Sequence, residues 1–348
     1  MRCIAFIMHP PRNTTPSLTS NHRKLLARGG PFLPHGPRGL RKCRNRFPIN
    51  WISWCHFLVA FPLFLLTIAG SSPAAAQSVR VRVAVLDFGE APTAAHAGEK
   101  IRDLFSSSPD FTLIDSDLAR AAARGAGFNG SLNLAVQEAR DLGAAIGCDF
   151  YVIGESQTLR RLASTGADYY DSYAAIFIVS ARTGKLVVWE RPLVKKGSAA
   201  EAEGELLALL GSADTRNRYT VAIRRALDDE RDARVAAVEN PPPVIEAMPD
   251  QEVDAKQGVR APRPYRRLRP PYPPSAAIAE VEAIVDVLLD VDAAGEINRM
   301  EIARWAGYGL DQSVLETVKQ MHFFPAQRDG KAIPMRVLLR YNFRKPPK

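Results

Sequence analysis

Residues 281–295 read VEAIVDVLLDVDAAG, and their reading decides the fold of the last part of the chain. Polar and apolar positions alternate and then merge into an apolar run, which is the pattern of a strand entering a sheet. Asp292-Ala293-Ala294-Gly295 follows as a turn, with glycine where a positive φ is needed. Residues 296–304, EINRMEIAR, form the returning strand, ended by Gly307 and Gly309. Asp311 is placed to cap a helix over 312–321, whose buried stripe is Val314, Leu315, Val318 and Met321. A turn at 327–331 leads into a last strand, 333–343, with Met335, Val337, Leu339, Tyr341 and Phe343 on one face. Tyr272, Phe323, Phe324 and Phe343 are expected in the core, and His322 packed or at an edge.

Upstream, Tyr272-Pro273 is followed by Ala276, and downstream come Leu310-Asp311, Phe323-Phe324-Pro325-Ala326 and Asp329-Gly330-Lys331, with Phe343 closing the last strand. With Asp292 and Gly295 between them, these places match in order and spacing the TonB carboxy-terminal family, which residues 270–348 resemble. Glu282-Ala283 departs from the Glu-Gly of many members, and the polar segment that contacts the receptor box is missing. The resemblance implies an α+β domain that binds partners by strand addition, since a sheet edge presents unpaired N–H and C=O groups to an extended peptide. The implied partner is an outer-membrane receptor or another envelope protein. The expected edge is the last strand, with Arg336, Leu338, Arg340 and Asn342 as its partner-binding residues; pairing within the domain or with a second copy, giving a homodimer, is the alternative.

Residues 239–269 are rich in proline and poor in large apolar residues, which reads as an extended linker, with Arg260, Arg263, Arg266, Arg267 and Arg269 as a solvated basic run or a contact for anionic polymers or headgroups. Before it, residues 79–238 read as strand, helix, strand, two helices, three strands and helices, an α/β sandwich with a small mixed sheet. Ser116 or Asp117 is placed to cap the second helix and Ser131 a third over 132–146. The runs AVLDF at 84–88, FTLID at 111–115 and GCDFYVIG at 147–154 resemble the domain of CsgG-like proteins and the amino-terminal domain of TolB. That resemblance implies an envelope-associated role; without a lipobox cysteine it does not extend to a secretion pore.

The formal charge of +9 comes from one end. Residues 1–50 hold ten Lys or Arg and no acidic residue, so removing them from 46 basic and 37 acidic leaves 36 against 37. A neutral body removes the electrostatic case for a nucleic-acid partner. Residues 51–70, WISWCHFLVAFPLFLLTIAG, lie between a basic stretch and Ala74-Ala75-Ala76, which is the layout of a secretory signal peptide cleaved between Ala76 and Gln77. Residues 1–76 are therefore a leader, or, uncleaved, a single-pass inner-membrane anchor. Ser53 and His56 then stand three apart where the resemblance to TonB, with a spacing of four, would place contacts to inner-membrane motor proteins.

Past the leader only Cys148 remains, read as a small buried residue, and no cysteine pair offers a metal or redox site. Asp87, Asp115, Asp149 and Glu155 sit at strand ends, where α/β sites often lie, yet no nucleotide, nucleophile-elbow or zinc motif accompanies them. The expectation is a non-enzymatic, cofactor-free exported protein in the periplasm that couples or binds envelope proteins. An anchored energy transducer is the second reading and a periplasmic enzyme the third.

Overall fold

The computed structural model describes residues 6–7, 80–163, 166–247 and 258–345. Ser53, His56, Ala76 and Gln77 lie outside these residues. Counting Phe6–Ile7 as β1, the first half contains β2 (Val81–Val85), α1 (Pro92–Ser106), β3 (Phe111–Leu113), α2 (Ser116–Gly125), α3 (Val136–Ile146), β4 (Phe150–Arg161), β5 (Tyr169–Ser180), β6 (Leu186–Glu190), β7 (Leu193–Lys196), α4 (Ala199–Leu210) and α5 (Ala213–Glu239). The sheet runs β3-β2-β4-β5-β6, with β7 beside β5. β2 is parallel to β3 and β4, whereas β4, β5 and β6 are antiparallel, so the sheet is mixed. The two-residue period of β4 divides its side chains between two cores. Phe150 and Val152 join α1, α4 and α5 on one face, while Tyr151 and Ile153 join α2 and α3 on the other.

Two caps differ from the sequence reading. Asp115 caps α2, accepting from the amides of Asp117 and Leu118 at 3.0 Å each. The third helix begins at Val136, four residues later than expected, and Glu138 reaches back to the Ala135 amide at 2.8 Å. Residues 132–135 are diverted because they bind the second half of the chain.

That half contains β8 (Val259–Arg260), β9 (Arg263–Pro264), α6 (Pro274–Ile278), β10 (Ala283–Val291), β11 (Ile297–Arg304), α7 (Leu310–Val318), β12 (Phe323–Phe324), β13 (Ala326–Arg328), β14 (Lys331–Ile333) and β15 (Met335–Phe343). Its main sheet runs β1-β15-β10-β11, all antiparallel, and α7 packs on its inner face. The end of the expected linker is folded: β8 pairs with β13 and β9 with β12. Asp311 is not the N-cap of its helix. Gly309 holds that place at φ 74°, and Asp311 instead accepts from the amides of Ala306 and Gly307 at 2.8 Å each. Burial, opposed by those two bonds, pushes the Asp311 carboxyl up to about 6.

The two halves share buried core. From residue 80 onward the described chain belongs to one compact unit, and a single buried cluster contains Tyr151, Phe177 and Val179 together with Trp305, Tyr308 and Val314. The segment after β11 lies on the first sheet. Trp305 stacks on Phe177 at 5.9 Å, and Tyr308 meets Trp189 at 4.9 Å. Gly307 is needed there twice over: its φ is +72°, and a Cβ would stand 2.6 Å from Trp189 and 2.7 Å from Phe177. The polar part of the joint is equally specific. The Asn133 amide donates to the carbonyls of Ile284 (2.8 Å) and Trp305 (2.6 Å), and its oxygen accepts from the Ile284 amide at 3.0 Å. Trp305 Nε1 donates to Gly184 O at 3.0 Å, and Arg304 pairs with Glu138 at 3.1 Å.

Candidate functional site at the outer edge of the last strand

Both margins of the sheet β15-β10-β11 meet other segments of the chain. The end of β11 is met by the first half: the Trp305 amide donates to Leu134 O at 3.2 Å, and Ala135 bridges to Arg304. The opposite edge belongs to β15. Its buried side chains, Met335, Val337, Leu339, Tyr341 and Phe343, face α7, and Arg336, Leu338, Arg340 and Asn342 alternate with them on the outer face. The Arg336 amide points away from β10 and donates to Glu246 O at 2.8 Å. The two-residue repeat of an antiparallel strand turns the backbone of Leu338, Arg340 and Asn342 the same way. Those four residues share the outer face of β15.

Two segments of the same chain already lie along that edge. Ala247 makes a parallel bridge to Arg336, with Arg328 holding the Glu246 carboxylate at 2.5 Å. β1 pairs antiparallel over Leu339 and Arg340. The contact at Glu246 and Ala247 has no signature in the sequence, where both residues read as linker.

The side chains of the edge do something the sequence reading missed. Arg336 grips Asp290 with two bonds of 2.6 and 2.8 Å, and Arg340 grips Asp286 with two of 2.7 and 2.8 Å. Both carboxylates are buried, at 5 and 4% exposure. Arg304 approaches Asp286 from the other side at 3.5 Å. The outer face of the sheet is therefore a charge ladder that fixes β15 against β10, and its arginines are turned toward the sheet. A signal for the ladder was present: Asp286 and Asp290 interrupt an apolar strand four apart, matching the spacing of Arg336 and Arg340 on a strand running the other way.

The acidic residues at strand ends do not converge. Asp149 precedes β4 and Asp87 follows the parallel β2, so they stand at opposite ends of the sheet. Asp149 accepts from the Arg82 amide at 2.8 Å, Asp87 pairs with Arg120 at 3.0 Å, Asp115 is a cap, and Glu155 accepts from the Tyr173 hydroxyl at 3.1 Å. A cavity of about 340 Å³ beside Asp149 is lined also by Arg140, Asp141, Cys148 and Arg182. Cys148 is buried there, and desolvation with the nearby Asp149 pushes its thiol up to about 12, which removes thiolate character at neutral pH. Among the described residues no group of His, Cys, Asp and Glu is arranged to hold a metal ion, and no helix is long and apolar enough to cross a membrane.

Residues 269–344 match the family model of the Gram-negative bacterial TonB protein carboxy-terminal domain. Among solved structures, the carboxy-terminal domain of TonB from Pseudomonas aeruginosa aligns at 22% identity over 25% of this chain and 89% of its own, with a TM-score of 0.22. The LpoB carboxy-terminal domain from Salmonella enterica aligns at 13% identity over 33% and 83%, with a TM-score of 0.24. A lipoprotein from Neisseria meningitidis aligns at 12% identity over 40% and 99%, with a TM-score of 0.30. No curated protein matches the chain.

Proposed function

We propose that this is an exported, non-enzymatic protein of the cell envelope that binds a partner protein by adding an extended segment to the outer edge of β15. The observation that carries this reading is that the outward backbone of β15 already takes extended segments. Its Arg336 amide takes the Glu246 carbonyl, and β1 pairs over Leu339 and Arg340. An edge of this kind binds through main-chain bonds and draws specificity from alternate side chains. The carboxy-terminal family match supports an envelope partner, for which an outer-membrane receptor is the first candidate. The first half, which we relate to CsgG-like and TolB amino-terminal domains, then serves as the support that holds the end of β11.

The test places a photo-crosslinking amino acid at Asn342 in cells and at Val221 as a control, each with and without Leu338→Pro. Proline removes the outward amide of Leu338, and on an edge strand it is tolerated because that amide bonds to nothing in β10. The expected outcome is one crosslinked envelope protein from position 342, absent from position 221 and lost with Leu338→Pro. A crosslink from position 342 that survives Leu338→Pro would refute strand addition at this edge.

A further inference from the structure

Phe324 was expected in the core, and it is not there. Phe323 is buried, but Phe324, on the opposite side of β12, is 53% exposed, and Tyr265, 60% exposed, lies against it with ring centroids 4.2 Å apart. The pair stands on a built platform. β9 pairs with β12 in the register Phe323↔Pro264 and Phe324↔Arg263, and the Tyr265 amide donates to His322 O at 2.9 Å. Antiparallel partners share a face, so Arg263 emerges beside Phe324.

The segment that carries Tyr265 is basic. Residues 258–269, GVRAPRPYRRLR, hold five arginines and no acidic residue. Arg260, Arg263, Arg266, Arg267 and Arg269 are all exposed, and none makes an ion pair with another described residue. Elsewhere the arginines of this protein are largely engaged, as at Arg304, Arg336 and Arg340. The paired strands add Lys331 and an Arg328 engaged by Glu246, against Asp329 and a Glu296 that faces His322 at 3.4 Å. Arg263, Arg266, Arg267 and Arg269 lie within four residues of Tyr265, and so within about 15 Å of it along the chain. Because β8 and β9 are fastened to β13 and β12, the run is held on the surface of the domain.

We propose that this surface docks on an anionic lipid bilayer. Unpaired guanidinium groups suit lipid phosphates, and a cluster of them near an anionic surface adds about 1 kcal/mol per charge. Two exposed aromatic rings at the centre of such a patch suit the headgroup layer, where one side of a ring is wet and the other apolar. The body beyond residue 50 is neutral only with this patch included, at 36 basic against 37 acidic residues, which argues against a nucleic acid as the occupant.

The test is hydrogen exchange of the full chain with vesicles of equimolar phosphatidylglycerol and phosphatidylcholine, with phosphatidylcholine alone, and with polyglutamate. A local readout is required because residues 1–76 carry basic and apolar segments of their own. Protection of 258–269 and 319–328 by the anionic vesicles only is expected. Arg263→Gln/Arg266→Gln/Arg267→Gln should weaken the affinity that this protection reports on the order of a hundredfold, from three charges near an anionic surface. Tyr265→Ser/Phe324→Ser should weaken it roughly tenfold. All five side chains are exposed, so unchanged melting temperatures will certify the fold. Absent protection, or equal protection by neutral vesicles, overturns the proposal; protection by polyglutamate but not by vesicles assigns the surface to an acidic polypeptide instead.

Discussion

Asn133→Ala should destabilise both halves of the protein together. One carboxamide makes three hydrogen bonds across the joint, and alanine leaves the Ile284 amide, the Ile284 carbonyl and the Trp305 carbonyl without it. Each bond contributes roughly 1 kcal/mol net, and the site is partly buried, so the loss should come to about 3 kcal/mol. For a unit of this size a loss of 1 kcal/mol lowers the melting temperature by roughly 2–4 °C, which predicts a fall of about 6–12 °C. Calorimetry, with tryptophan fluorescence as a second probe, reads this directly, because Trp189 and Trp305 sit on opposite sides of the joint and meet in one buried cluster. A single transition that moves as a whole is expected. A shift under about 1 °C, or two transitions of which only the later half of the chain moves, would refute the coupling of the halves.

The ladder predicts an asymmetry. Arg336→Ala strands the buried Asp290 carboxylate and should cost about 3 kcal/mol, while Arg336→Ala/Asp290→Ala should cost less than the sum of the single changes, read by a double-mutant cycle in urea. Asp311 predicts a pH dependence. Its folded value is raised from 3.8 to about 6, so the fold holds the proton more tightly than the unfolded chain does. Its contribution is present in full below about pH 4 and is lost as pH rises through 6, up to about 3 kcal/mol; Asp311→Asn should remove that slope in unfolding measured from pH 4 to 7.5. Gly184→Ala should cost more than about 2 kcal/mol, since φ is +69° and the new Cβ would stand 2.1 Å from Val136 O; a neutral result by thermal unfolding would show that the start of α3 yields freely.

Much of the secondary structure was legible because it depends on neighbours in the chain. The run 281–291 became β10 from Ala283, 296–304 became β11 from Ile297, and the alternation in 333–343 placed the buried face of β15 correctly. Where an element's partner is distant, the sequence reading stopped. Residues 132–135 have helical spacing but are not helical, since their carbonyl and amide groups close the β11 edge and their Asn133 clamps Ile284. Asp311 has the position of a cap and serves the preceding loop instead. Phe324 has the composition of a core residue, and only its pairing with Arg263 shows which side of β12 it occupies. The edge residues Arg336, Leu338, Arg340 and Asn342 followed from a two-residue period, which a single strand carries within itself. That residues 134 and 135 meet the end of β11 follows from how two halves far apart in sequence share one core, a matter of long-range packing that local periodicity does not encode.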